Sequence, residues 1–185
     1  MNLESELRSR GALLAGHFRL SSGRHSDRFI QKFRILENPA LLEPVAREIA
    51  QAFAHAKPTV VVSAAVGGIL LGYEVARALG TKAIFVEKES GVPVLRRSFS
   101  LAPSDRALIV EDVVTTGGSV NEVLGVVRGS GAQISGVGVI VRRADVDFGI
   151  PTHALLDMPI VSYDPAECPQ CARGEPITDP GSRRA

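Results

Sequence analysis

The stretch that most constrains this chain runs from Ala107 to Ser119. Ala107-Leu108-Ile109-Val110 is a short apolar run, the pattern of a strand buried on both faces. It passes into Glu111-Asp112-Val113-Val114, then Thr115-Thr116-Gly117-Gly118-Ser119, where a helix opens and continues to Arg128. Small residues let backbone N–H groups approach an anion closely. The helix N-terminus adds partial positive charge, and the hydroxyls of Thr115, Thr116 and Ser119 add donors. This is the pattern of a phosphate cradle, and it is not a Walker loop, because no lysine follows the glycines. Glu111 and Asp112 stand just before it, as natural acceptors for the neighbouring hydroxyls of a ribose. Together these residues suit a sugar phosphate. The plainer alternative is a capped turn with two solvated acids.

The rest of the chain repeats the same alternation. Asn38-Pro39 is a helix start, with Leu41, Leu42, Val45, Ala46, Ile49 and Phe53 on one face. Thr59 to Ser63 is a β-branched run. Ile69 to Leu79 is helical, and Gly80 stands where a C-terminal cap belongs. Lys82–Val86 and Ile134–Val141 read as further strands, and His153–Leu156 as a last one. Strand and helix in this order predict an α/β fold, a parallel sheet flanked by helices. In such a sheet, ligands bind beyond the carboxyl ends of the strands. Between Glu87 and Arg106 no clean period is visible, so this polar, arginine-bearing stretch is expected to be a functional lid or a mobile connection. Prolines 165, 169, 176 and 180 make the C-terminal end an irregular arm.

Composition closes off other classes. At 185 residues, with 45% hydrophobic and 22% charged side chains, one folded domain is expected. A net charge of +1 gives no reason to expect a nucleic-acid or membrane partner. The basic residues Arg19, Arg24, Arg28, Lys32 and Arg34 read better as the solvated rim of an anionic-substrate site. The N-terminus carries Glu4 and Glu6 where a signal peptide would be basic, and two cysteines make no disulfide framework. The expected location is the cytoplasm.

Val110 to Gly118 resembles the phosphoribosyl-pyrophosphate (PRPP) signature of type I phosphoribosyltransferases. Phe18 to Asp27 is similar to the N-terminal substrate segment of the orotate phosphoribosyltransferase branch. Ala65-Val66-Gly67-Gly68-Ile69 falls where that branch has its pyrophosphate loop, Glu87-Lys88-Glu89 where its catalytic loop starts, and Arg142-Arg143 where an arginine meets orotate. The resemblance spans about Phe18 to Tyr163. It implies transfer of ribose 5-phosphate from PRPP to orotate in pyrimidine biosynthesis, with Mg²⁺ and without a dedicated protein metal cage. It implies PRPP binding by Glu111, Asp112, Val113, Val114, Thr115, Thr116, Gly117, Gly118, Ser119 and Lys88. It implies orotate binding by Thr115, Arg143 and Phe29, and catalytic roles for Lys88, Arg96, Arg97 and Asp112. It also implies a hood built from about residues 1–37 and 158–185, and a homodimer whose lid contacts cross the interface.

Some alternatives stay open. Arg142 competes with Arg143, since strand neighbours point to opposite faces. Phe18 and Phe29 are equally readable as core aromatics, and His25 as a phosphate contact or a turn cap. Many family members have Arg-Lys where this chain has Glu87-Lys88, then a lysine and a histidine; here only Arg96 and Arg97 supply charge. Lysines common in the family are Gly67 and Ser21 here. Cys168-Pro169-Gln170-Cys171 reads as a turn with two free thiols, because no second cysteine pair exists and the four histidines are not spaced as partners. Zinc and a reversible disulfide are the alternatives. For the whole chain, the competing functions are transfer to another base, or a non-catalytic PRPP sensor.

Overall fold

The computed structural model describes residues 2–20 and 22–180. Met1, Ser21 and the last five residues lie outside them. The described residues divide into two compact units, residues 36–158 and residues 2–35 with 159–180.

The smaller unit begins with α1 (Leu3–Ser9), capped by the Asn2 side chain. It is followed by an antiparallel hairpin of β1 (Leu13–Arg19) and β2 (His25–Ile30). No strand is expected here from the sequence, because β1 does not alternate. Between the Ala15–Arg28 pair and the Phe18–Ser26 pair, β1 has one residue more than β2. This bulge at Gly16-His17 lets His17 and Phe18 both be buried, although they are neighbours on a strand.

A single turn, α2 (Phe33–Leu36), leads to α3 (Pro39–Phe53). Helix α3 starts as the Asn-Pro pair predicts, with the Asn38 side chain accepting from the Leu41 N–H at 3.3 Å. The larger unit continues with β3 (Val60–Ala64), α4 (Gly68–Leu79), β4 (Lys82–Glu89) and β5 (Val92–Leu95). Then come β6 (Arg106–Val114), α5 (Gly118–Gly129), β7 (Gln133–Arg142) and β8 (Thr152–Asp157). Sheet order is β5-β4-β3-β6-β7-β8, parallel except for β5.

The core follows from strand alternation. Val60, Val62, Ala107, Ile109, Val137 and Val139 belong to one cluster with Val120, Val123, Leu124 and Val127 of α5. Helix α3 packs on the opposite face. A Cβ on Gly138 would sit 2.4 Å from Ile49, so the close approach of α3 to β7 requires glycine there.

Two expectations are corrected. The lid is not irregular at its start: β4 runs to Glu89 and turns back through Ser90-Gly91, both at positive φ, into β5. A two-residue turn of this kind matches the twist of a hairpin. Pro93 is tolerated because β5 is an edge strand. The second correction concerns β6, which does not stop at Val110 but continues to Val114, so Glu111 and Asp112 lie inside the strand. In the C-terminal arm, Pro165–Glu167 forms a 3-10 turn and Pro169–Ala172 a single helical turn, α6.

Candidate active site

The carboxyl ends of β3, β6 and β7 carry the groups that the sequence singles out. At the end of β6, Glu111 and Asp112 are buried, at 5% and 1% exposure, rather than solvated. Glu111 accepts from the Ser119 hydroxyl at 2.5 Å and from the Asp112 N–H at 3.1 Å. Asp112 accepts from the Val113 N–H at 2.7 Å. The acids are thus oriented by the loop they precede.

That loop is open to ligand. Thr115, Thr116, Gly118 and Ser119 are exposed, while Val113 is half-buried and Val114 buried. Gly117 has φ 78°, and a Cβ there would lie 2.8 Å from both Phe148 and Val146, so only glycine makes this turn. No side chain caps α5, which leaves its first N–H groups facing the loop. A loop of the same type lies between β3 and α4. It contains the cis Ala65-Val66 peptide, and α4 also lacks a side-chain cap. Gly68 and Gly72 let α4 close onto Ser63.

The two candidate arginines separate cleanly. Arg142, at the end of β7, is forked onto Asp157 of β8, with Nε and Nη2 at 2.6 and 3.1 Å from its two carboxylate oxygens. This bond holds its guanidinium above the ordinary arginine pKa. Arg143 has no carboxylate among the described residues. Its backbone N–H donates to the Val114 carbonyl at 2.8 Å, which sets it beside Thr115. Its Nε is buried without a hydrogen-bond partner, and burial pushes its pKa below the usual value.

The lid cations are paired with acids. Lys88 on β4 reaches Glu122 of α5 at 2.8 Å, both exposed. Arg97 bonds Glu87 at 3.1 and 3.3 Å, and lies 5.8 Å from the centre of the Phe85 ring. Arg96 stands 3.5 Å from Glu89. Surface pairs of this kind are worth little.

In the smaller unit, Phe29 is half-buried, 5.9 Å from the Phe18 ring. Arg19 is paired with Asp179, and Arg24 donates to the Ser162 hydroxyl and carbonyl at 2.9 and 2.6 Å. These two arginines tie the hairpin to the C-terminal arm rather than forming a free rim. His25 is buried beside His17, Cys168 and Cys171, the partners that linear spacing does not reveal.

Comparison with known proteins bears directly on this arrangement. The family described as a phosphoribosyl transferase domain matches residues 33–147. An orotate phosphoribosyltransferase of Pelotomaculum thermopropionicum is 52% identical over 176 residues, covering 94% of this chain and 93% of the relative. The chain belongs to the orotate phosphoribosyltransferase family. A family member from Thermotoga petrophila is 45% identical, with 96% of both chains covered. Among solved structures, the orotate phosphoribosyltransferase of Aeropyrum pernix superposes with a TM-score of 0.71 at 25% identity, over 84% of this chain and 93% of that one. The adenine phosphoribosyltransferase of Rhodothermus marinus superposes with a TM-score of 0.60 at 23% identity, over 71% and 87%. That second likeness concerns the fold alone, so the base must be read from side chains. No helix among the described residues is long and apolar enough to cross a membrane.

Proposed function

We propose that the chain transfers ribose 5-phosphate from PRPP to orotate, giving orotidine 5′-monophosphate and pyrophosphate, as a cytoplasmic enzyme of pyrimidine biosynthesis. The observation that carries this is the division between the two arginines. Arg142 already holds a carboxylate, whereas Arg143 is half-buried, beside the cradle, and free to fork onto one. A planar carboxylate matches that fork with two parallel hydrogen bonds. Orotate carries such a group, and uncharged bases do not.

In the reaction, orotate attacks C1 of the ribose while the bond from C1 to the pyrophosphate oxygen breaks. Positive charge grows on the ribose and negative charge on the leaving group. The α5 N-terminus, with Thr115, Thr116 and Ser119, holds the 5-phosphate. The carboxylates of Glu111 and Asp112 hold the ribose hydroxyls, and the Asp112 charge favours the oxocarbenium character of the transition state. Thr115 steadies orotate. Lys88, Arg96 and Arg97 exchange their glutamate partners for pyrophosphate and spread its charge. Arginine remains protonated at neutral pH, so this lid supplies electrostatic stabilisation rather than a proton.

Mg²⁺ suits the site, because it takes phosphate oxygens with one or two carboxylates and keeps its remaining waters. The paired acids at the head of the cradle fit that donor set. When bound, the ion neutralises the pyrophosphate charge. A homodimer with lid contacts across the interface completes the reading. Val66 in the loop before α4, with Leu70 and Tyr73 in its first turns, all 50–75% exposed, give an apolar face that a second copy would cover.

The test is orotate consumption, followed by its absorbance, in the presence of PRPP and Mg²⁺. Arg143→Ala is expected to raise the KM for orotate by about 10²-fold, the scale of a lost charged hydrogen-bonded fork. Its KM for PRPP should stay close to wild type. Arg142→Ala is expected to cost far less. Equal loss in both variants, or loss in Arg142→Ala alone, would overturn the assignment of Arg143.

A further inference from the structure

We propose that His17, His25, Cys168 and Cys171 form a structural zinc site. The four ligand atoms lie within 4.8 Å of one another. His17 Nε2 is 3.1 Å from His25 Nδ1, 3.5 Å from Cys168 Sγ and 3.6 Å from Cys171 Sγ, and Cys171 Sγ is 3.2 Å from His25 Nδ1. Zinc bonds nitrogen at about 2.0–2.1 Å and sulfur at about 2.3 Å, so a tetrahedron around it has N–N edges of roughly 3.3 Å and N–S edges of roughly 3.5 Å. The observed separations scatter around those edges. Four side chains are therefore spaced to surround one ion.

The protonation state also fits. His17 Nδ1 is 2.9 Å from the Glu175 carbonyl oxygen. A carbonyl only accepts, so Nδ1 carries the hydrogen and the Nε2 lone pair faces the cluster. A ligating histidine is normally held by such a bond from its other ring nitrogen. Three of the four residues are buried, with Cys168 at 2%, His17 at 5% and His25 at 7% exposure, and Cys171 lies at the rim. Two thiolates and two neutral imidazoles balance the +2 ion. With all four tetrahedral positions taken by protein, the site is closed, which is the structural rather than the catalytic type. Tetrahedral sulfur–nitrogen donor sets select zinc or iron among the common ions.

The backbone holds the donors in place. The β1 bulge turns His17 inward, and β2 supplies His25. Pro169 starts α6 immediately after Cys168, so that Cys168 and Cys171, three residues apart, come to the same side of one turn. Both flanks of this turn are hydrogen-bonded to the strands that carry the histidines. The Thr178 N–H donates to the His17 carbonyl at 2.8 Å, and His25 and Tyr163 exchange two backbone bonds at 2.9 and 2.8 Å. The ion would pin the C-terminal arm to the hairpin within the smaller unit.

The test uses the full chain, made without a histidine tag and purified without chelator. Elemental analysis is expected to find about one zinc per chain. Protein stripped by a chelator and refilled with Co²⁺ is expected to show the visible bands of tetrahedral cobalt with thiolate-to-cobalt charge transfer in the near ultraviolet. Cys168→Ser with Cys171→Ser should lower zinc content at least tenfold and abolish the cobalt bands. If that variant does not fold, the cobalt spectrum of the unaltered chain decides alone. Metal-free protein that gives only the weak spectrum of octahedral cobalt would overturn the proposal. So would protein that shows no titratable thiol after denaturation in chelator without reductant, which would mean that Cys168 and Cys171 form a disulfide instead.

Discussion

The cradle after β6 and the cysteine–histidine cluster are both constellations of polar atoms, but the chain builds them in opposite ways. The cradle is contiguous, Glu111 to Ser119, and local backbone geometry makes it. A strand end, a glycine at positive φ and an uncapped helix start are consequences of adjacent residues. The cluster joins residues up to 154 positions apart, and a bulge and two backbone bridges make it. The first, as proposed, meets a ligand that leaves. The second is buried except for Cys171 at its rim, and the proposed ion would hold the smaller unit together. The proposed chemistry sits where the chain can be read locally, and the proposed support sits where it cannot.

The largest effect should come from the cradle. Asp112→Asn keeps the shape of the side chain but removes its charge, and kcat is expected to fall about 10²–10³-fold, as for loss of one aimed electrostatic group. A kcat within about twofold of wild type would show that the acid only orders the loop. Gly117→Ala places a Cβ against Phe148 and Val146 at a left-handed φ. It is expected to cost about 2–4 kcal/mol of stability by chemical denaturation and to raise the KM for PRPP. The cluster should behave differently. Cys168→Ser with Cys171→Ser is expected to lower Tm by about 5–10 °C, with kcat at low temperature near wild type. A large kcat loss without thermal destabilisation would erase the distinction between the two regions.

Smaller effects sharpen it further. Arg97→Ala breaks a surface pair between the exposed Arg97 and the half-buried Glu87, so stability should change little. Turnover is expected to drop about 3–10-fold, with the KM for PRPP more sensitive to salt. Unchanged turnover would remove Arg97 from the lid chemistry. The smallest effect is expected at Asp105, at the opposite end of the strands. The Ala102 N–H, with Lys82 and Thr59, holds its carboxyl below the ordinary aspartate range. The folded-state pKa is the lower one, so this stabilisation is present above about pH 4 and is lost as pH falls from there through the folded value. Asp105→Asn should lower Tm at pH 7 by an amount that shrinks on acidification. A difference independent of pH would contradict this.

Much of the larger unit is legible in the sequence because its signals are local. The Asn38-Pro39 start, the Gly80 end and the apolar runs of β3, β6 and β7 each depend on a few adjacent residues. The β4–β5 hairpin is hidden because Ser90-Gly91 is an unremarkable pair and Pro93 argues against a strand until β5 is known to be an edge. The burial of Glu111 and Asp112 is hidden because two adjacent acids read as solvated. Only the continuation of β6 to Val114 encloses them. Arg142 and Arg143 are equivalent until β8 pairs with β7 and brings Asp157 to one of them. The histidines are unspaced in sequence, and only the β1 bulge turns His17 toward the cysteines.

The measurement that tests the account most directly is phosphoribosyl transfer by the purified chain with PRPP and Mg²⁺, with orotate, uracil, adenine, hypoxanthine and xanthine offered side by side. Turnover with orotate alone is the predicted result. Turnover with an uncharged base, or PRPP binding with no turnover of any base, would contradict it.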